Sequence, residues 1–216
     1  VWDHLKHGES LGIDGVGAPR LNWANLLKRK NDIITKHTKG LDFLMKKNKI
    51  TVVNGYGRLT GPAKEGVFSI EVDKAGKKET VKAKKVVLAT GSDARMLPGY
   101  KADNTILTYV EMLSIDKQPK SVVVIGSCAV GVEFASIFKS FGTEVTIIEA
   151  LPRIVPAEDE DVSKELLRLF KKRGIDVHLS AKVDKIEKTK EGVNVHFTRS
   201  DGKGEIKSAE KVLVAV

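Results

Sequence analysis

The stretch SVVVIGSCAVGVEFASIFKSFGTEVTIIEA, residues 121–150, constrains the fold more than any other part of this chain. Val122, Val123, Val124 and Ile125 form an unbroken apolar run, the pattern of a parallel strand covered on both faces. Gly126 and Gly131 follow it, and Val130, Phe134, Ile137, Phe138 and Phe141 then recur at helical spacing as far as Gly142. A second apolar run, EVTIIE, ends on Glu149. The order strand, glycine turn, helix, strand predicts a βαβ unit whose helix N-terminus offers free N–H groups and a positive dipole end to a pyrophosphate.

Within that unit each residue type has a physical reason. Gly126 permits the sharp turn and Gly131 lets the helix pack close to the strand. Glu149, at the end of the second strand, is placed to accept hydrogen bonds from an adenosine ribose diol and to repel a 2′-phosphate, which favours NAD over NADP. Cys128 stands where the pattern G-x-G-x-x-G carries its middle glycine. A Cβ and a sulfur there are expected to crowd the diphosphate and weaken its binding. Two other readings of Cys128 compete: a redox-sensitive thiol with its pKa lowered at a helix N-terminus, and a small space-filling side chain. For the whole segment the plain alternative is an α/β unit that binds nothing.

The rest of the chain repeats part of this plan. A helical pattern covers residues 22–47, through Trp23, Leu26, Leu27, Ile33, Ile34, Leu41 and Leu44. ITVVNG reads as a short strand leading to the turn Gly55–Tyr56–Gly57. Phe68, Ile70 and Val72 alternate, Ala75–Gly76 makes a turn, and KKVVLATG reads as a buried strand. A helix is expected after Pro156, with Val162, Leu166, Leu169 and Phe170 inward, followed by strands in IDVHL, VNVHF and KVLVAV. With a shift of 126, GVFSIEVDKAGKKETVKAKKVVLAT lies over GVNVHFTRSDGKGEIKSAEKVLVAV with nine of 25 positions identical, and KKNKITVV lies over KKRGIDVH with a shift of 125. This predicts two copies of one nucleotide-binding unit. The alternation in the two hairpins is one residue out of phase, so a gapless register does not hold throughout. The counterpart of Gly126 in the first copy falls just ahead of Val1, and the chain ends inside an apolar run. It is therefore expected to be cut from a longer one, with the first phosphate loop missing.

Composition excludes several classes. No apolar run approaches a membrane span, and the single cysteine rules out an internal disulfide and dithiol chemistry within these residues. The net charge of +9 is spread along the chain and aromatic residues make up only 6%, so neither a basic patch nor a stacking platform for nucleic acid is expected.

KVVLATGSDARMLPG resembles the second flavin-contacting segment of the flavoprotein disulfide reductases, the class I pyridine nucleotide-disulfide oxidoreductases. VVVIGSCAVGVEFASIFKSFGTEVTIIEALPRIVP resembles their NAD domain, nearest to the dihydrolipoyl dehydrogenase branch, and VVNGYGRLTG and KVLVAV agree with it. The resemblance implies an α/β fold of two Rossmann-like dinucleotide-binding domains with three-stranded β-meanders, the first incomplete. Residues 1–117 would be a partial FAD-binding domain and 118–216 an NAD-binding domain cut at its final strand. Gly57 would meet the FAD adenosine side through its backbone, and Thr90, Gly91 and Ser92 would pass the flavin diphosphate. Gly126, Ser127, Cys128, Ala129, Val130, Gly131, Val132 and Glu133 would form the NAD diphosphate turn, with Glu133 beside the nicotinamide and flavin rings. Glu149 would take the ribose and Val183 the adenine. Each has a plainer role: Gly57 a turn, Thr90 and Ser92 loop punctuation, Val183 core, Glu133 a first-turn carboxylate favoured by the helix dipole.

The implied activity is reoxidation of dihydrolipoyl groups of 2-oxoacid dehydrogenase complexes, with FAD and NAD as cofactors. The implied partners are a lipoyl-bearing acyltransferase and a second copy of the chain. The implied place is the cytoplasm, or the mitochondrial matrix in a eukaryote. The family's C-x-x-x-x-C redox pair, its first G-x-G-x-x-G, its later flavin-holding aspartate and its His–Glu dyad are absent from this sequence. No catalytic residue and no metal ligand is therefore assigned within it, and the piece alone is expected to be inactive. A pyridine nucleotide transhydrogenase, a mercuric reductase or NADH oxidase relative, and a non-catalytic NAD-binding module share the same NAD segment and differ in those absent parts.

Overall fold

The computed structural model describes residues 2–15 and 17–216. The chain divides into two compact units, Lys28–Ser92 and, in the other, Val1–Leu27 with Asp93–Val216. In chain order the larger unit opens with helix α1 (Trp2–Lys6) and a 3-10 turn (Glu9–Leu11). Helix α2 (Trp23–Lys47) contains the boundary between the units. The smaller unit then carries strands β1 (Tyr56–Leu59), β2 (Phe68–Lys74) and β3 (Lys77–Ala83). The larger resumes with β4 (Ile106–Leu107), α3 (Tyr109–Met112), β5 (Ser121–Ile125), α4 (Ala129–Phe141), β6 (Glu144–Ile148) and α5 (Glu160–Lys172). It closes with β7 (Asp176–His178), β8 (Lys182–Lys188), β9 (Val193–Thr198), β10 (Gly204–Ala209) and β11 (Lys211–Val214).

The larger unit is built on a parallel sheet of order β4-β11-β5-β6-β7. Its apolar runs are unbroken because both faces are covered. On one face Val122, Val124, Val145, Ile147 and Leu213 pack with Val132, Ala135 and Phe138 of α4 and Phe170 of α5. On the other, Val123, Ile125, Ile148, Val212 and Val214 pack with Ile186, Val193, Val195 and Phe197 of the antiparallel meander β8-β9-β10. Adjacent residues of β5 thus enter different cores, as the period of two requires. Residues 93–117, ahead of the expected boundary at 118, also contribute to this unit: β4 pairs with β11, and Met96, Leu97 and Tyr100 pack on the meander-side core. The turn into β4 is held by Asp103, which accepts the Thr105 and Ile106 amides at 2.7 and 2.8 Å and pairs with Lys188. Burial pushes the Asp103 carboxyl up, but the Lys188 and amide hydrogen bonds outweigh it and hold it at about 2.

The helices follow ordinary rules. Asp159 caps α5 by accepting the Asp161 amide, with Glu160 and Asp161 in the first turn and Lys171 and Lys172 in the last, as the dipole favours. The inward face of α5 is Ser163, Leu166, Leu167 and Phe170, whereas Val162 and Leu169, expected inside, are exposed. The spacing 163, 166, 167 and 170 is one helical face, which turns Val162 and Leu169 outward, and Ser163 is satisfied inside because its hydroxyl donates to the Val155 and Asp159 carbonyls. At its start α2 is anchored by Trp23, which stacks on Phe138 and donates its indole N–H to the Ile115 carbonyl at 3.0 Å.

The smaller unit holds the antiparallel meander β1-β2-β3. Two expected strands do not form: residues 50–55 and 84–91 have no ladder, and Val52, Val87 and Leu88 are exposed. An apolar run becomes a buried parallel strand only between paired neighbours, and among the described residues no strand pairs with either segment. The duplication is nevertheless visible in register. Phe68, Ile70 and Val72 face Ala83, Val81 and Glu79, while Val193, Val195 and Phe197 face Ala209, Lys207 and Glu205. The offset is 125 along the middle strands and 126 along the third, so one extra residue in the β9–β10 turn accounts for the phase slip.

Gly131 is the point where α4 meets the end of β5. A Cβ there would stand 2.3 Å from the Gly126 carbonyl oxygen and 3.3 Å from Val124 Cγ1. Gly131→Ala is expected to destabilise the chain by about 1–3 kcal/mol in urea unfolding, as overpacking does; an unchanged midpoint would contradict the close approach.

Candidate functional site

The chain leaves β5 for β6 and β7 on one side and returns through the meander to β11 on the other. The carboxyl ends of β5 and β11 therefore flank a topological switch point, where α/β sheets open a crevice for ligands. Gly126 sits at that point with φ +93°, donating its N–H to the Ile148 carbonyl at 2.9 Å. A Cβ on Gly126 would stand 2.3 Å from the Ala215 carbonyl oxygen, so two constraints, backbone conformation and space, require glycine here.

Ser127 follows, fully buried, and then Cys128, which is the N-cap of α4 with φ −69° and ψ −178°. That conformation is open to any L-residue, so the backbone does not need a glycine at the middle position. The Cys128 thiol donates to the Ala215 carbonyl at 3.0 Å, which ties the sulfur to the end of β11. No side chain caps the helix. The first intrahelical bond of the ladder at this end runs from the Val132 amide to the Cys128 carbonyl, leaving the amides of Ala129, Val130 and Gly131 ahead of it. No acidic residue lies in the first turn to compete for them. Glu133 is exposed one turn along, and Val132 is buried against the core.

Glu149 is buried, 7% exposed, at the end of β6. Its Oε2 accepts the Ser127 amide at 2.7 Å and the Ser127 hydroxyl at 2.6 Å, and its Oε1 accepts the Leu151 amide at 2.8 Å. The backbone carbonyl of Glu149 accepts the Ala181 amide at 2.9 Å, which brings the start of the meander to the same strand end. Val183, two residues on, pairs with Phe197 and is half-buried against the meander-side core. An uncapped helix start, a turn that admits only glycine and a buried carboxylate on the neighbouring strand fit the diphosphate and ribose of NAD by their chemistry.

The remaining candidates lie in the smaller unit. Thr90, Gly91 and Ser92 are exposed and outside any strand, and Gly57 is exposed on β1. Gly57 pairs with Val72 as Val183 pairs with Phe197, and Val72 and Phe197 are equivalent in the two meanders. The two residues assigned to the adenosine ends of FAD and NAD thus occupy the same place in the repeat. Sterically, however, Gly57 is not forced to be glycine: an added Cβ meets only Ile70 Cγ2 at 3.7 Å. The obligatory glycine of that turn is Gly55, with φ +154° and a Cβ position 2.6 Å from Val72 Cγ1. The pair Gly55–Tyr56–Gly57 signalled a turn without saying which glycine was indispensable. By themselves these exposed segments form no cradle for FAD. The contributions of Leu151 and Ala215 had no sequence signal, since they act through backbone groups. Among the described residues no group of His, Cys, Asp and Glu is placed to hold a metal.

Residues 6–216 match the family model of the pyridine nucleotide-disulphide oxidoreductases. Among curated proteins the chain is 41% identical over its whole length to a dihydrolipoyl dehydrogenase of Cupriavidus necator and 36% identical to one of Bacillus subtilis. It covers 44% and 47% of those two proteins, so it spans less than half the length of the relatives it matches. Among solved structures, LpdA from Mycobacterium tuberculosis superposes with a TM-score of 0.86 at 24% identity, covering all of this chain and 46% of that one. The HOCl-induced flavoprotein disulfide reductase RclA from Escherichia coli superposes with a TM-score of 0.73 at 23% identity, covering 99% of this chain and 45% of that one; like LpdA it speaks for the fold alone. Kinship of this kind implies FAD and NAD as cofactors. With the topological switch point, the glycine turn and the duplicated meander in place, the chain belongs to the pyridine nucleotide-disulphide oxidoreductases.

Proposed function

We propose that the chain is a central piece of a dihydrolipoyl dehydrogenase, with residues 118–216 as its NAD-binding domain and 1–117 as part of its FAD-binding domain. The observation that carries this reading is the uncapped start of α4 at the switch point, beside a buried Glu149. The 41% identity to the Cupriavidus necator enzyme supports the choice of branch. NAD, when bound, supplies the hydride acceptor. The chain's own residues hold it in place: the amides of Ala129, Val130 and Gly131 and the dipole of α4 attract the diphosphate, and Gly126 admits it to the strand end. Glu149 takes the adenosine ribose, Val183 lies toward the adenine, and Glu133 lies along the helix toward the reacting end. Gly57, Thr90, Gly91 and Ser92 are the contributions to FAD.

With Cys128 the single cysteine of the chain, dithiol chemistry belongs to other residues, and this piece alone does not turn over dihydrolipoyl groups. The substrate of the whole protein would be the dihydrolipoyl arm of a 2-oxoacid dehydrogenase acyltransferase, and its working form a homodimer. Its place would be the cytoplasm, or the mitochondrial matrix in a eukaryote. No helix among the described residues is long and apolar enough to cross a membrane.

Glu149→Gln is expected to weaken NADH binding by about 10-fold or more, the loss of a hydrogen bond to a charged group, while NADPH loses less because its phosphate no longer meets a carboxylate. Fluorescence titration of both nucleotides checks this, and equal losses would contradict the ribose assignment. Replacing the thiol side chain by hydrogen in Cys128→Gly is expected to tighten NADH binding, since Cβ and sulfur leave the mouth of the turn. Equal affinity in the parent and the variant would refute crowding.

A further inference from the structure

Both donors of Ser127 are directed at one atom. Its amide and its hydroxyl reach Glu149 Oε2 at 2.7 and 2.6 Å, while the Leu151 amide takes Oε1 at 2.8 Å. A carboxylate offers about four lone-pair sites, two on each oxygen. Ser127 fills both on Oε2 and Leu151 fills one on Oε1, so one acceptor site remains, on Oε1. An adenosine ribose presents two adjacent hydroxyls, hence two donors.

We propose that Ser127 is a specificity-determining residue that holds an acceptor site on Glu149 against the nucleotide, so that the carboxylate receives one ribose hydroxyl where it has the geometry for two. The inference rests on the assignment of Glu149 to the ribose of NAD. Serine keeps its hold because it is fully buried: a hydroxyl without exposure has no water to turn to. Its O–H···O contact is also short and charge-assisted, the stronger kind of hydrogen bond. In exchange, the bond fixes the carboxylate before the ligand arrives and ties the turn after β5 to the end of β6. The same arrangement leaves the repulsion of a 2′-phosphate intact, because the charge of Glu149 stays where it is. Ser127 therefore lowers the affinity for NAD without raising that for NADP.

The test is a titration of the purified chain and its Ser127→Ala variant with NADH and NADPH, followed by nucleotide fluorescence. Removing the hydroxyl frees one lone pair on Oε2, and NADH is expected to bind about 2- to 10-fold more tightly, the worth of one added hydrogen bond. NADPH lacks the free 2′-hydroxyl and should not gain, so the NADH to NADPH preference widens by the same factor, a change that general loosening of the site would not produce. In a Glu149→Ala background the Ser127→Ala change should leave NADH affinity where the first substitution put it. Ser127→Gly carries the same expectation and replaces the alanine variant if thermal melting shows that it has lost its fold. NADH affinity that stays level or falls in the folded variants overturns the proposal while leaving the NAD assignment standing. A parent chain that binds no NADH overturns that assignment and the proposal with it.

Discussion

Helix α4 stands on the end of β5 because two positions carry no Cβ. At Gly126 a side chain would strike the Ala215 carbonyl, and at Gly131 it would strike the carbonyl of Gly126 itself, each at 2.3 Å. Every other feature of the site depends on that approach. It brings the first amides of α4 to the switch point between β5 and β11, and it sets Ser127 against Glu149. It also lets the helix's buried residues, Val132, Ala135 and Phe138, reach the sheet core. Glycine is costly in chain entropy, and at these two points the close packing of backbone on backbone offsets that cost.

A second layer of order comes from what the strand ends exchange. Gly126 donates to Ile148, Ala215 to Ile125 and Ala181 to Glu149, all within 2.8–2.9 Å. The Ser127 carbonyl accepts the Val155 amide in the loop that carries Ile154 and Val155 into the core. Glu149 is a buried charge, costly unless satisfied, and three donors satisfy it. A carboxylate so held has a fixed orientation at the end of β6. The thiol of Cys128 is drawn into the same web through Ala215, an ordinary hydrogen-bonding role beside the reactive one that its place at a helix N-terminus suggested.

Much of this was legible in the chain because the larger unit contains the neighbours its pattern calls for. The run Val122–Ile125 meant a doubly covered strand, and both cores are there to cover it. The repeat was readable from nine identities, yet its phase slip needed the ladder to show one extra residue in a turn. The same apolar logic failed at Val87 and Leu88, where the sequence signal was equally clear and no paired strand stands beside them among the described residues. Periodicity reports what a segment could bury, and pairing decides whether it does. Side chains acting on backbone, such as Trp23 on Ile115, and backbone acting on side chains, such as Leu151 on Glu149, left no trace in residue type. They are products of topology.

The assignment of NAD stands or falls on whether the opening amides of α4 face its diphosphate. Backbone amide resonances of the chain, followed by NMR during titration with NADH and separately with inorganic pyrophosphate, test it most directly. The amides from Cys128 to Gly131 are expected to move with both ligands, and those of Glu149 and Leu151 with NADH alone. Amides at the start of α4 that stay fixed while NADH shifts resonances elsewhere would contradict it.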